Sequence, residues 1–226
     1  MTGGQTFPGL FFFKNSIPIL QKEVDNQDAV WYTVLRKEMI VLETSKRITT
    51  KTIVYIGVFA ALTAVLSQVA LPLPTNVPIT LQTFAVALAG YFLGWAKGGA
   101  ALAVYVLLGG VGVPVFSGFK GGFSVLTGPT GGFIFGFVPM AVICGLAVKL
   151  FSSKKPVGKL LIVTVGIAGL LVDHAFGTVW YSISANISFW KSIMLVSLPF
   201  LVKDIISVAA AYVISVELLR RLRVKA

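Results

Sequence analysis

The chain reads as an all-α integral membrane protein of six transmembrane helices with both termini cytoplasmic, and three observations carry that reading. Hydrophobic residues occupy 56% of its 226 positions and charged residues only 12%, whereas soluble domains carry about 25% charge. Mean hydropathy is +0.90. After Ser45 only three acidic residues remain, Asp173, Asp204 and Glu217, and the apolar runs there approach the roughly 20 residues a helix needs to cross a bilayer.

Residues 1–45 stand apart as an accessory tail, because they hold five acids and four bases and no apolar run of roughly 18 residues. Phe7 to Phe13 followed by Lys14 lacks the basic, apolar and small-residue order of a secretory signal. Met39, with a short polar leader behind it, is an expected alternative start of translation. The membrane domain is then expected over 46–226, with spans at 52–70, 78–95, 98–113, 130–151, 159–183 and 193–219.

In the first span, Ala60 and Ala64 form a small-residue pair that lets another helix backbone approach closely. The loop that follows, 71–78, contains Pro72, Pro74 and Pro78. Proline fixes φ and biases its predecessor toward extended backbone, so this loop is expected to be a stiff cover. The second and third spans are short and separated only by Trp95 to Gly98. The next loop, 113–129, is rich in glycine and carries Phe116, Phe119, Lys120 and Phe123. It reads either as a cover that presents N–H groups to a pocket or as a plain connector.

The fourth span holds Cys144, the single cysteine of the chain, so no internal disulfide can form. The fifth holds Asp173 and His174 side by side. One imidazole with one or two carboxylates falls short of a metal donor set, so a structural role is expected and no metal. The sixth holds Lys203 beside Asp204. An ionisable residue at membrane depth is costly and marks a functional site by default, with its partner to be named. Here the partner is adjacent in sequence.

The bases flank the spans and interleave with no polar or aromatic patch, which argues against nucleic acid. With the N-terminus inside, twelve of the lysines and arginines after Ser45 fall on the cytoplasmic side and only Lys120 and Lys191 in outer loops, as the positive-inside rule prefers. Thr80, Gln82, Thr83, Thr130, Trp180, Tyr181, Lys203, Asp204 and Ser207 then lie toward the outer ends, which suggests one outward-opening site. The competing reading assigns Trp180 and Tyr181 to an interfacial belt and the hydroxyls to helix carbonyls. No enzyme constellation is present. Gly110-Val111-Gly112 runs into Val113-Pro114, which breaks a dinucleotide fingerprint, and no glycine-rich segment ends as a phosphate loop does.

Val77-Pro78-Ile79-Thr80-Leu81-Gln82-Thr83, Leu108 to Phe116, Gly128-Pro129-Thr130-Gly131-Gly132, and Pro199-Phe200 ahead of Asp204 resemble, in order and spacing, the motifs of the BioY family of biotin-binding S-components. The resemblance covers roughly 50–220. It implies a six-helix subunit of the plasma membrane, surrounded by lipid. Such a subunit captures biotin from outside and docks on the coupling subunit of an energy-coupling factor transporter, whose two ATPases use the ATP. No cofactor is implied for this chain. The resemblance also implies that small residues of the first helix dock on that partner, with Ala60 and Ala64 at matching positions.

For the ligand, it implies that Asp204 accepts biotin's ureido N–H groups, a bond that charge strengthens. Thr80 or Gln82 would complete the polar contacts, Phe116 and Trp180 would cover the ring, and Lys120 or Lys203 would meet the carboxylate. Two positions depart from the family pattern. Ser207 stands where a lysine three residues after the aspartate is expected, and Gly118 or Phe119 stands where an asparagine is often found. Lys203 lies one helical turn outward of Ser207, so either it is a relocated lysine or it snorkels outward while Ser207 bonds a carbonyl. An S-component for another small vitamin and a ligand-free scaffold are the alternative functions.

Overall fold

The computed structural model describes residues 49–151 and 156–222. The accessory tail up to residue 48, including Met39, lies outside them. Helix α1 (Thr50–Gln68) begins at Thr49, whose Oγ1 accepts from the Thr52 N–H at 3.3 Å and so satisfies one of the free donors of the first turn. Its buried face is Phe59, Ala60, Thr63 and Ser67, while Ile53, Val58 and Val65 point outward. Thr63 Oγ1 donates to the Phe59 carbonyl at 2.8 Å, which satisfies a hydroxyl where no water is at hand.

Two short strands, β1 (Ala70–Leu71) and β2 (Ile79–Thr80), pair antiparallel with Ala70 opposite Thr80 and so close the proline loop between them. Helix α2 (Gln82–Leu93) follows and is nearly all buried, packing against α1, α3, α5 and α8 at the centre of the bundle. It passes into α3 (Trp95–Gly110) through one residue, Gly94, at φ 80°. That is tighter than the break between Trp95 and Gly98 that the sequence suggests. A left-handed residue without a Cβ ends one helix and starts the next with no loop.

A glycine loop and the single-turn helix α4 (Phe123–Thr127) lead to α5 (Gly131–Phe151), which carries Pro139 in its interior, and then to α6 (Pro156–Ser184). Helices α5 and α6 share the most extensive interface of the described chain. The final span departs from the sequence reading. In place of one helix over 193–219 there are two, α7 (Phe189–Val196) and α8 (Leu198–Leu222), broken at Ser197. Pro199 explains the break, since it has no N–H to continue α7 and is well tolerated in the first turn of α8.

Among the described residues, α1, α5, α6 and α8 are long and apolar enough to cross a membrane, while α2 and α3 are shorter apolar helices. Exposed Leu160, Ile183, Val202 and Val213 give the bundle an apolar exterior suited to lipid. Glu217 sits at the polar end of α8, 3.3 Å from Arg220 and 2.7 Å from Arg221. That leaves Asp173 and Asp204 as the acids buried within the helices.

Candidate functional site

A cavity of about 650 Å³ opens where the proline loop, the glycine loop and the adjoining ends of α2, α5, α6 and α8 meet. That volume lies in the range of small-molecule sites. Its apolar walls include Val77, Phe116, Phe133, Phe137 and Phe200. Its polar lining includes Thr80 of β2, Gln82 and Thr83 at the start of α2, Asp173 and His174 on α6, and Lys203 and Asp204 on α8.

The ionisable groups form one connected cluster. Asp204, 3% exposed, has Lys203 Nζ 2.5 Å from Oδ1 and His174 Nε2 3.3 Å from Oδ2. The Oδ1 contact is an ion pair without good hydrogen-bond directionality. Lys203 Nζ also donates to the Thr80 carbonyl at 2.7 Å, which ties α8 to the strand leading into α2. The other nitrogen of His174, Nδ1, lies 2.8 Å from Ser197 Oγ, so the break between α7 and α8 helps to orient the imidazole. A buried carboxylate held between an ammonium and an imidazole is the compensated arrangement that low dielectric demands.

A second polar chain holds the glycine loop. Thr80 Oγ1 donates to Gln82 Oε1 at 3.0 Å, Gln82 Nε2 to Tyr105 Oη at 2.7 Å, and Tyr105 Oη to the Val115 carbonyl at 3.2 Å. From α1, Ser67 Oγ reaches the same carbonyl at 2.7 Å, and Gln68 bonds the Phe116 carbonyl at 3.1 Å and the Phe119 N–H at 2.9 Å. The loop itself is a small hairpin in which Phe116 and Lys120 exchange backbone bonds of 2.9 and 3.2 Å. Gly118 and Phe119 supply its positive φ values of 73° and 55°. So fastened, Phe116 is buried against Tyr105 with ring centroids 5.5 Å apart, while Phe119 and Lys120 stand exposed at the mouth.

The residues singled out from sequence divide accordingly. Thr80, Gln82, Phe116, Lys120, Lys203 and Asp204 line the cavity, as do Thr83 and Thr130. Trp180 and Ser207 lie outside its lining. Trp180 Nε1 donates to the Gly128 carbonyl at 3.0 Å and its ring meets Phe135 edge-on, so it braces the turn that enters α5. Ser207 Oγ donates to the Lys203 carbonyl at 2.9 Å, one turn earlier in α8. Tyr181 Oη donates to the Thr75 carbonyl at 3.2 Å and anchors the proline loop. Ala60 is 3% exposed and turned into the core, and Ala64 is half-buried. The exposed small residues of α1 are Gly57 and Ala61.

Sequence reasoning passed over Gln68 and Phe133, and it kept His174 apart from Asp204. For Gln68 a signal existed, an amide at the end of an apolar helix just before the proline loop. For the His174 to Asp204 pairing there was none, because it depends on how α6 and α8 pack.

Comparison with known proteins bears directly on this arrangement. The model of the BioY family matches residues 41–224. The chain belongs to the BioY family. A biotin transporter BioY of Thermotoga maritima is 40% identical over 162 residues, covering 72% of this chain and 92% of that protein. A probable biotin transporter BioY of Pyrococcus horikoshii is 38% identical over 168 residues, covering 74% and 96%. Among solved structures, an S-component for biotin from an ECF-type ABC transporter matches with a TM-score of 0.69 and 25% identity, over 80% of this chain and 95% of that one. As a BioY protein the chain is not an enzyme, and it is a multi-pass protein of the cell membrane.

Proposed function

We propose that this BioY protein is the biotin-binding S-component of an energy-coupling factor transporter, taking biotin from outside for uptake driven by ATP hydrolysis in partner subunits. The observation that carries the reading is the cavity itself, with apolar aromatic walls around one buried cluster of acid, lysine and histidine, in a chain of this family. Biotin is complementary to it. The fused ring suits Phe116 and Phe133, the ureido N–H groups suit a carboxylate such as Asp204, and the tail carboxylate suits an ammonium. Lys203 is paired with Asp204 and donates to the Thr80 carbonyl, and an ammonium with three N–H groups keeps donor capacity for the ligand. Lys120 at the mouth offers a second cation. In this reading Lys203 does the work of the lysine absent from position 207, and Thr80 and Gln82 hold the loop geometry while meeting the ligand edge.

Radiolabelled biotin binding to the purified chain tests the proposal. Wild type is expected to bind, and Lys203→Met to bind about tenfold to a hundredfold more weakly, the worth of a charged hydrogen bond. Tight binding of a different vitamin with none of biotin would overturn it.

The same reading places six helices across the membrane with both termini cytoplasmic. Lys149 Nζ lies 5.6 Å over the Trp95 ring, so the turn between α2 and α3 and the end of α5 share one face of the bundle. The cavity lies at the opposite ends of α2 and α5. Lysines thus collect on the side away from the cavity, as expected of a cytoplasmic face. With Cys144 replaced by alanine, a cysteine at Ser117 should label with an impermeant thiol reagent on intact cells, and one at Lys97 only after permeabilisation. The reverse pattern would invert the topology. Docking of the coupling subunit then involves α1 through its exposed Gly57 and Ala61 face, because Ala60 is committed to the core.

A further inference from the structure

We propose that Gln68 is the latch of the cavity: it positions the tip of the glycine hairpin at the mouth and thereby sets how fast ligand enters and leaves. The proposal rests on the biotin reading and adds the way in. Gln68 is the last residue of α1, just ahead of the proline loop, and it lines the cavity together with residues of both loops. The two covers are fastened unequally. The proline loop is closed by the β1–β2 pair, Tyr181 Oη holds the Thr75 carbonyl, and Lys203 Nζ holds the Thr80 carbonyl. The glycine hairpin is fixed at its base, where Phe116 is buried and the Val115 carbonyl accepts from Ser67 and Tyr105. Its tip, Ser117 to Lys120, makes one hydrogen bond outside the hairpin among the described residues, from the Phe119 N–H to Gln68 Oε1 at 2.9 Å.

The same amide donates through Nε2 to the Phe116 carbonyl at 3.1 Å. A side-chain amide accepts at one end and donates at the other, so this one group spans the hairpin from base to tip. Phe119 stands at the tip with φ 55° and its ring exposed. A bulky residue in left-handed backbone is strained, and such strain persists where the surroundings hold it. Here the hold is Gln68. Its strength suits a gate, because a neutral hydrogen bond contributes little net stability. The tip is then kept closed yet opens by local fluctuation, without disturbing the bundle. A covered cavity admits ligand only as often as its cover opens, so one step limits both entry and exit.

The test compares Gln68→Met and Gln68→Glu with wild type, each as the full chain in detergent, by the association and dissociation rates of biotin and by hydrogen exchange of the ligand-free protein. Gln68→Met should raise both rates about tenfold and leave the affinity nearly unchanged. Gln68→Glu keeps the acceptor for the Phe119 N–H and loses the donor to the Phe116 carbonyl, so it should fall between. Without ligand, the Phe116 and Lys120 amides, which bond within the hairpin and not to Gln68, should exchange faster in Gln68→Met. A faster dissociation with unchanged association overturns the proposal, because Gln68 is then a ligand contact. Unchanged rates overturn it, and failure of both variants to fold does so by making the residue structural. Absence of biotin binding by wild type would be the failure of the biotin reading. The exchange measurement still decides the latch in that case, and unchanged exchange at Phe116 and Lys120 overturns it.

Discussion

Asp204→Asn is expected to weaken biotin binding by at least about a hundredfold and to lower the stability of the protein by about 3 kcal/mol. The size follows from what one carboxylate holds. Lys203 and His174 both lean on it inside the bundle, and removing the acid from a buried ion pair leaves the Lys203 ammonium uncompensated, at about 3–5 kcal/mol. The amide keeps the shape but not the charge, so the loss is electrostatic rather than a cavity effect. A double variant, Lys203→Met with Asp204→Leu, separates stability from recognition. Replacing a buried pair by apolar groups of similar size is often neutral or stabilising, so melting should recover while biotin binding does not. Thermal unfolding and binding measured on the same preparations check this. Recovery of binding in the double variant would show that the cluster serves packing alone.

Gly109→Ala is the second large effect, although the residue never touches the cavity. A Cβ at this position falls within the ring of Phe116, which is 2% exposed and wedged edge-on against Tyr105. The ring lines the cavity, so a displaced Phe116 intrudes on the ligand site. The Gly109 carbonyl also accepts the Gly122 N–H at 2.7 Å, so the two ends of the glycine loop are joined there. Overpacking of this kind costs about 1–3 kcal/mol, and the strain falls on the loop that carries Phe116 and Lys120. Biotin affinity is expected to drop about tenfold or more, together with a lower melting temperature. The neighbouring Gly110→Ala is the control, because its Cβ would come only to 3.1 Å from Leu126 Cδ1 at the end of a flexible side chain. It should bind nearly as wild type. Equal losses in the two variants would remove Phe116 seating as the cause.

Much of this architecture was legible in the residues. Long apolar runs bounded by lysines and arginines specify helices in lipid, because only a hydrogen-bonded helix or closed barrel satisfies the backbone there. The Lys203 and Asp204 pair stood out because charge is rare in such runs, and the motif order from Val77 to Asp204 pointed to the BioY family. Elements governed by local stereochemistry were partly legible. The proline loop is closed by the β1–β2 pair and anchored by Tyr181, but the turn at Gly94 and the break at Ser197 depend on single residues whose effect competes with strong apolar periodicity. Ala60 was expected to dock on a partner but is turned into the core, because small-residue spacing does not say which face of a helix looks outward.

What the sequence by itself determined is the class of the molecule: helices in a membrane, a family, and two charged neighbours that had to be functional or paired. Only the tertiary structure decided the partners. His174 and Asp204 are thirty positions apart and meet because α6 and α8 bring them to one cavity. Ser207 turns to a carbonyl, Trp180 braces a turn behind the wall, and Asp173 Oδ1 has no hydrogen-bond partner among the described residues. The reason is physical. Hydropathy and charge act on each residue according to its solvent and are written locally, whereas a hydrogen bond or an ion pair exists only when two distant segments arrive within about 3 Å in a favourable orientation.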